Sequence, residues 1–216
     1  MASDQISALT PGRIKQLLEP YNISPDEELC TMIQDYVAVL LRWNAKVSLT
    51  AITVPEEIVR IHFGESIFAA TEACIDKGRL ADIGTGAGFP GIPIRMVRPR
   101  ISLTLIESNA KKCAFLGEVI RRLRLDSVDI IRSRMEQIGD SQIHPFNFVA
   151  SRALGNYEAI LHWARVHLSS SGSVIFLLGA VDAQALATAP GWYWNPPVKI
   201  PGSRSRFVLK GAKGST

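Results

Sequence analysis

The chain has 216 residues, of which 47% are hydrophobic and 20% are charged, so it is long enough for one sizeable α/β domain and too short for two ordinary ones. Three scattered cysteines exclude a disulfide framework, and the sequence shows neither a Cys/His cluster for zinc nor an apolar run of the roughly 18 residues that a membrane span needs. The few, scattered cysteines and the lack of a signal-peptide pattern at the N-terminus lead us to expect a cytoplasmic protein. We also expect a monomer without a metal or membrane partner.

The net charge of +4 is unevenly distributed. Residues 95–134 carry ten basic and four acidic side chains, and residues 199–216 carry five basic side chains and no acidic ones. The rest of the chain is therefore acidic. Two basic segments on an acidic body indicate a polyanionic partner, although solvated surface is an equally good explanation of the charge pattern alone.

The first part of the chain, residues 1–77, predicts a helical extension. Apolar residues between Pro25 and Trp43 recur at helical spacing, and Pro25 suits the first turn with Ser24 as N-cap. Pro55, followed by two glutamates, begins a second predicted helix that runs to about Ile75.

From Arg79 onward, short apolar runs alternate with helical segments. The predicted strands are Leu80–Ile83, Ile101–Ile106, Val128–Ile131, Phe146–Ala150, Val174–Leu178, Trp192–Trp194 and Arg206–Lys210. The predicted helical segments are Gly91–Val97, Asn109–Leu123, a turn at Met135–Ile138, Tyr157–His167 and Ala183–Ala189. This alternation predicts an α/β fold over residues 78–216: a doubly wound, mostly parallel sheet that ends in an antiparallel strand pair.

A glycine-rich loop follows the first predicted strand. Asp82 ends that strand, and Gly84, Gly86 and Gly88 come directly after it. Glycines let the backbone turn tightly and approach a ligand, and ligands of open α/β sheets bind at the carboxyl ends of the strands. Glu107 ends the second strand, where a carboxylate can accept hydrogen bonds from both hydroxyls of a ribose. These five residues are candidate nucleoside-binding residues.

Two cofactors remain compatible with this loop. The form Asp-Ile-Gly-x-Gly-x-Gly favours S-adenosylmethionine, whereas Gly86 to Gly91 also matches the dinucleotide fingerprint of an NAD(P)-binding oxidoreductase. Pro90 and Pro93 lie where a helix that binds pyrophosphate would offer free N–H groups, so they favour the methyl donor. A purely structural loop is the third interpretation.

The sequence contains no evident catalytic residue for methyl transfer. Its one Asn-Pro-Pro string, Asn195-Pro196-Pro197, lies in the tail without the aromatic that enzymes methylating exocyclic amines carry, and no cysteine is placed as a nucleophile. A ring nitrogen such as guanine N7 has no proton to lose, so positioning of the two reactants suffices for catalysis. Lys111 and Arg122, on one predicted helix, and Arg206, in the basic tail, are candidates for RNA contact.

The order and spacing of these motifs resemble the bacterial RsmG or GidB family of 16S rRNA guanine-N7 methyltransferases. The resemblance runs from about Ile14 to Lys210. Its carriers are Arg42-Trp43-Asn44, Ser48-Leu49-Thr50, His62-Phe63-Gly64-Glu65-Ser66, the stretch from Asp82 to Pro93, Glu107-Ser108, Lys111-Lys112, Phe115-Leu116 and Ser151-Arg152-Ala153.

The resemblance implies a class I methyltransferase fold, S-adenosylmethionine as cofactor and 16S rRNA or the small ribosomal subunit as partner. It implies methylation at N7 of one guanine in the decoding-region hairpin. By position, Gly84, Phe89, Met135, Glu136 and Arg152 match donor-binding residues, and Lys112 matches a basic position facing RNA. A methyltransferase for another RNA and a non-catalytic RNA-binding module are the alternatives to this function.

The chain departs from the family pattern at three positions. Glu65 stands where an aspartate is usual, Leu178 stands where a lysine is common, and Met135 replaces a small or branched residue. The second change removes one cation from the expected RNA side of the molecule.

Overall fold

The computed structural model describes residues 9–139, 145–152 and 155–214, so the predicted position of Ala153 lies outside it. The helices are α1 (Pro11–Leu18), α2 (Glu27–Asn44), α3 (Pro55–Glu57), α4 (Glu65–Glu72), α5 (Gly91–Val97), α6 (Ala110–Arg122), α7 (Tyr157–His167) and α8 (Ala180–Leu186). A π-helical segment, Ile58–Gly64, joins α3 to α4, and short 3₁₀ turns lie at Glu19–Tyr21 and Met135–Gln137. The strands are β1 (Lys77–Ile83), β2 (Arg100–Ile106), β3 (Val128–Ile131), β4 (Phe146–Arg152), β5 (Leu168–Gly179), β6 (Trp192–Trp194), β7 (Val198–Lys199) and β8 (Arg206–Lys213).

One sheet runs through the molecule in the order β3-β2-β1-β4-β5-β8-β6, with β7 also paired to β8. The first five strands pair in parallel, and β8 runs antiparallel to β5, β6 and β7. This arrangement confirms the predicted doubly wound sheet with its antiparallel C-terminal strands. The chain leaves β1 towards β2 and returns to β1's other side with β4, so a crevice is expected at the carboxyl ends of β1 and β4.

Three predicted boundaries were wrong at the helices. Helix α2 begins at Glu27 with Asp26 as its N-cap, because the Asp26 carboxylate accepts a hydrogen bond from the Leu29 amide at 2.8 Å. The helix predicted to reach Ile75 ends at Glu72, because Cys74 adopts a left-handed conformation with φ of 53°. Helix α8 begins at Ala180, three residues before the predicted Ala183.

The N-terminal helices and one face of the sheet share a single hydrophobic core. It contains residues of α1, α2 and α4, of the π-helical segment, of β1 and β2, and of α5 and α6. A second cluster on the other face joins the sheet to α7 and α8. The sheet is therefore covered on both faces, as its apolar parallel strands require. The division of the chain between residues 77 and 78 stays a prediction.

Two further expectations concern partners. Within the described ranges, no helix is both long and apolar enough to cross a membrane. The same residues contain no group of three or more His, Cys, Asp or Glu side chains that could hold a metal ion.

Candidate functional site

The glycine loop leaves the carboxyl end of β1 and doubles back against β2. The amides of Gly84 and Thr85 donate to the carbonyl of Ile106 at 2.9 and 3.2 Å. Gly86 has a φ of 58°, and a Cβ added there would make only an ordinary van der Waals contact, at 3.8 Å from the Gly84 carbonyl oxygen. Glycine is favoured at this position because an L side chain rarely adopts this conformation, and its hydrogen leaves room for a ligand.

Gly88 has a different reason to be glycine. A Cβ at Gly88 would clash with the Tyr36 hydroxyl, so the loop is pressed against helix α2 at this point. The Tyr36 hydroxyl also donates to the Ala87 carbonyl at 2.5 Å. The predicted donor-binding glycine Gly88 therefore faces the core, where α2 holds the loop in place.

Asp82 stabilises the conformation of the glycine loop through hydrogen bonds. Its Oδ2 accepts hydrogen bonds from the Thr85 hydroxyl at 2.7 Å and from the Gly91 amide at 2.8 Å. Complete burial raises the pKa of the Asp82 carboxyl to about 7, although these two hydrogen bonds oppose the shift. Its Oδ1 has no partner among the described residues. Asp82 does not line the cavity described below.

Glu107 connects β2 to the loop. Its Oε2 accepts from the Gly86 amide at 3.1 Å, and its Oε1 accepts from the Asn109 amide at 2.8 Å. A carboxylate has about four acceptor positions, so Glu107 retains capacity for two more hydrogen bonds. This arrangement suits a ribose with two adjacent hydroxyls.

A cavity of about 310 Å³, the donor cavity, lies at the carboxyl ends of β1, β2 and β3. Its lining residues are Ile83, Gly84, Ile106, Glu107, Ser108, Lys112, Ser133, Arg134, Met135, Glu136, Asn156 and Ile160. Four of the predicted donor-binding residues line it: Gly84, Glu107, Met135 and Glu136. Lys112, which was predicted to face RNA, also lines this cavity.

Sequence reasoning missed Ser133, Arg134 and Asn156 as lining residues. Asn156 is the N-cap of α7, whose side chain accepts from the Ala159 amide at 3.4 Å. An asparagine directly before a predicted helix is a recognisable N-cap signal, but nothing in the sequence shows that this cap faces the end of β1.

Phe89 lies apart from the donor cavity. Its ring stacks between those of Tyr36 and His62, with centroid separations of 5.3 and 4.5 Å. Burial lowers the pKa of the His62 imidazole to about 3, with the nearby Arg152 and Arg206 adding to the effect, so this ring is neutral at physiological pH. The contribution of Phe89 to donor binding stays a prediction.

Arg152 ends β4 and lines a second cavity of about 330 Å³. Burial lowers the pKa of the Arg152 guanidinium, while the Glu65 carboxylate raises it, and its Nη1 donates to the Ile61 carbonyl at 3.3 Å. Arg206 lies on the same cavity and is paired with Glu65 at 2.5 Å. The structure thus brings together Arg152, a predicted donor ligand, and Arg206, a predicted RNA ligand, at one place beside the donor cavity.

The remaining RNA candidates lie on helix α6. Lys111 is exposed and lines a shallow surface hollow with Arg42, Trp43 and Lys46. Arg122 forms an ion pair with Asp35 at 2.7 Å. Their predicted contact with RNA stays a prediction.

The loop is a poor pyrophosphate site. The amide of Gly91, the first residue of α5, donates to Asp82, and the next amide, of Ile92, donates to the Gly88 carbonyl at 2.8 Å. Pro93 has no N–H, and the Ile94 amide donates to the Pro90 carbonyl at 3.2 Å. A dinucleotide phosphate needs such amides to be free, so this geometry disfavours the NAD(P) interpretation.

Comparison with known protein families shows which family the chain belongs to. The sequence model of the GidB family, described as rRNA small subunit methyltransferase G, matches residues 29–192. The chain belongs to this family. A relative named ribosomal RNA small subunit methyltransferase G, from Xanthomonas axonopodis pv. citri (strain 306), is 33% identical over 205 residues, which cover 94% of this chain and 92% of the relative.

Solved structures agree on the fold of this family member. A putative O-methyltransferase from Klebsiella pneumoniae superposes with a TM-score of 0.62 at 16% identity, covering 84% of this chain and 90% of the other. A ribosomal protein L11 methylase from Lactobacillus delbrueckii subsp. bulgaricus superposes with a TM-score of 0.61 at 12% identity, covering 72% and 80%. The predicted class I methyltransferase fold and the predicted family are both confirmed.

Proposed function

We propose that this chain transfers the methyl group of S-adenosylmethionine to N7 of one guanine in 16S rRNA. The observation that carries the proposal is the donor cavity, in which the glycine loop and Glu107 meet at the ends of β1 and β2, in a chain that belongs to the GidB family. Relatives with 33% identity over nearly their whole length are named as methyltransferases of small-subunit ribosomal RNA.

The residues of the donor cavity fit S-adenosylmethionine. Ile83, Ile106 and Ile160 supply apolar surface for an adenine ring, next to Met135 and Glu136. Glu107 has acceptor capacity for the ribose hydroxyls, and Gly86, whose amide donates to Glu107, places no side chain beside it. When bound, S-adenosylmethionine supplies an electrophilic methyl group on a sulfonium.

The chemistry at the acceptor requires little of the protein. Guanine N7 presents a free lone pair, so no general base has to remove a proton before transfer. His62, with its strongly lowered pKa, is too weak a base to act at neutral pH. Positioning of the purine in line with the methyl group is worth up to about 7–11 kcal/mol in favourable cases. The chain's own residues therefore hold the two reactants in place and keep water away from them.

We further propose where the protein acts and which side chains contact the RNA. The protein acts as a cytoplasmic monomer on the small ribosomal subunit or its RNA. Lys111, Lys112 and Arg122 contribute positive charge towards the phosphates, and these contacts position the RNA without reading its sequence. Arg206 contributes positive charge to the RNA from the second cavity. Donor binding extends to Phe89, Gly88, Asp82 and Arg152, the first three through the conformation of the loop.

The test uses the purified protein with 30S subunits and with free 16S rRNA, both from a strain that lacks the gene. Transfer of a labelled methyl group, followed by reduction, aniline cleavage and primer extension, maps the product to a single guanine. A Glu107→Ala variant serves as the control for donor dependence, and calorimetry with NAD serves as the control for the rival cofactor. Absence of transfer to either substrate, or heat from NAD instead of S-adenosylmethionine, contradicts the proposal.

A further inference from the structure

The second cavity lies directly beside the donor cavity, on the far side of β1. Strand β4 pairs with β1, and the Ser151 hydroxyl donates to the Ile83 carbonyl at 3.1 Å, so the ends of the two strands are held together. The cavity is lined by Glu65, Arg152, Gly155, Tyr157, Leu177, Leu178, Gly179, Asp182 and Arg206. Leu177, Leu178 and Tyr157 contribute apolar surface to this lining, and Arg152 and Arg206 lie close to the Glu65 carboxylate.

Glu65 is a buried carboxylate with one unused oxygen. Its side chain is 1% exposed. Its Oε1 accepts from Arg206 Nε at 2.7 Å and pairs with Arg206 Nη2 at 2.5 Å. Its Oε2 has no hydrogen-bond partner among the described residues. A buried carboxylate oxygen without a partner is costly, and a ligand with N–H donors in this cavity would satisfy it.

We propose that Glu65 Oε2 recognises the acceptor guanine by accepting hydrogen bonds from its N1–H and its 2-amino group. The proposal rests on the proposed function and deepens it, because it assigns the second cavity to the base that is methylated. Guanine is the only standard base with two adjacent donors on its Watson–Crick edge. Adenine and cytosine present a ring-nitrogen acceptor there, and uracil flanks its N–H with two carbonyls, which a carboxylate repels.

The direction of this recognition matters for the reaction. N1 and the 2-amino group lie on the edge of the purine opposite N7, so Glu65 leaves the N7 lone pair free to face the donor cavity. The common arginine contact to guanine engages both O6 and N7 and would block the reacting atom. Reading a base by its Watson–Crick edge is typical of enzymes that take a single base into a pocket.

Two other occupants of the cavity fit the structure less well. A phosphate would meet Arg152 and Arg206, but it would also meet the carboxylates of Glu65 and Asp182. A purely structural role, in which Glu65 only balances the two arginines, accounts for Oε1 and leaves Oε2 without a purpose. The experiment separates both of these from base recognition.

The probe is 16S rRNA, reconstituted into 30S subunits, that carries guanosine or inosine at the position methylated by the wild-type protein. Inosine keeps N7 and lacks the 2-amino group. We expect wild-type kcat/KM to fall about tenfold to a hundredfold on inosine, the effect of one hydrogen bond to a charged group. In Glu65→Gln the ratio of the guanosine and inosine rates falls towards one, while the Kd for S-adenosylmethionine is unchanged. Asp182→Asn, which removes the other carboxylate of the same cavity, keeps the wild-type ratio.

Equal wild-type rates on guanosine and inosine RNA overturn the assignment, as does a folded Glu65→Gln protein that keeps the full ratio. If Glu65→Gln fails to bind the donor, the test uses the wild-type protein only. Its rates are then compared on guanosine RNA, inosine RNA and a third RNA that carries 1-methylguanosine, in which a methyl group replaces the N1 hydrogen. Loss of rate on both modified RNAs supports the assignment, and undiminished rates overturn it. No methylation of guanosine RNA at all contradicts the proposed function, whereas methylation without discrimination contradicts only this inference.

Discussion

The hydroxyl of Tyr36, on helix α2, donates a hydrogen bond of 2.5 Å to the carbonyl of Ala87, inside the glycine loop. The two residues are 51 positions apart, and both are buried. The Tyr36 ring also stacks on Phe89 at the other end of the loop. The helical N-terminal part of the chain therefore supports the candidate donor site directly, which gives it a role beyond covering the sheet.

Replacing Tyr36 by phenylalanine tests this support. Tyr36→Phe leaves the Ala87 carbonyl buried without a donor, so we expect the free energy of unfolding to fall by about 1–3 kcal/mol. We also expect S-adenosylmethionine to bind several-fold more weakly, because the loop loses the hydrogen bond that attaches it to α2. Urea denaturation and calorimetry measure the two effects. Tyr193→Phe is the matched control, since Tyr193, on β6, is 66% exposed. Unchanged stability and affinity in Tyr36→Phe would show that the hydrogen bond contributes nothing.

Gly86 tests the open side of the loop. Gly86→Ala places a Cβ in ordinary contact with the Gly84 carbonyl oxygen at a φ of 58°, which costs roughly 1–2 kcal/mol of stability through backbone conformation. We expect an additional loss of at least about tenfold in donor affinity, because the methyl group enters the space of the ligand. Gly202→Ala controls for conformation, since Gly202 has a φ of 68° and nothing within 4 Å of the added Cβ. Equal donor affinity in both variants, measured by calorimetry, would refute the assignment of the loop.

Two of the cations of α6, Lys111 and Arg122, are expected to differ in RNA binding. Lys111 is exposed, whereas Arg122 is already paired with Asp35. Each phosphate neutralised by a free cation contributes about 0.7–0.9 to the slope of log K against log salt. We therefore expect Lys111→Ala to reduce the magnitude of that slope by nearly the value for one phosphate, and Arg122→Ala to reduce it by less. Filter binding to 16S rRNA at several salt concentrations measures both slopes, and an order reversed from this one argues against RNA contact at Lys111.

The raised pKa of Asp82 leads us to predict a specific pH dependence of the free energy of unfolding. Its pKa is about 7 in the folded protein and close to 4 in the unfolded chain. Between these values the folded state binds the extra proton, so this group's contribution to stability is complete at low pH and is lost as the pH rises through about 7. The Asp82→Asn variant has no titrating group at this position, and its side-chain amide keeps an oxygen for Thr85 and Gly91. The unfolding free energy of Asp82→Asn, relative to wild type, should therefore rise by roughly 1–3 kcal/mol between about pH 4.5 and 7.5. A constant difference across this range would mean that Asp82 is not protonated in the folded protein.

The sequence by itself determined the alternation of strands and helices, the glycine loop and the family. These features depend on local patterns: apolar runs bounded by turn residues, glycines after a strand, and a carboxylate at the next strand's end. The boundary predicted at Ser24 was wrong because Asp26 competed with Ser24 to cap the helix, and the boundary predicted at Ile75 was wrong because Cys74 adopts a left-handed conformation. Which residue caps a helix depends on the hydrogen bonds that form in the folded chain, and the residue types alone do not determine them.

Only the tertiary structure decided which loop glycines are available to a ligand and which pack against the core. Gly86 and Gly88 are equivalent in the sequence, but a Cβ at Gly88 would clash with Tyr36, whereas a Cβ at Gly86 would make only an ordinary contact with the Gly84 carbonyl oxygen. In the same way, Glu65 and Arg206 are 141 residues apart, and their pairing beside Arg152 follows from the insertion of β8 next to β5. Chain topology brings distant side chains into one cavity, and burial then determines which of their polar atoms lack a partner. No periodicity or spacing in the sequence carries that information.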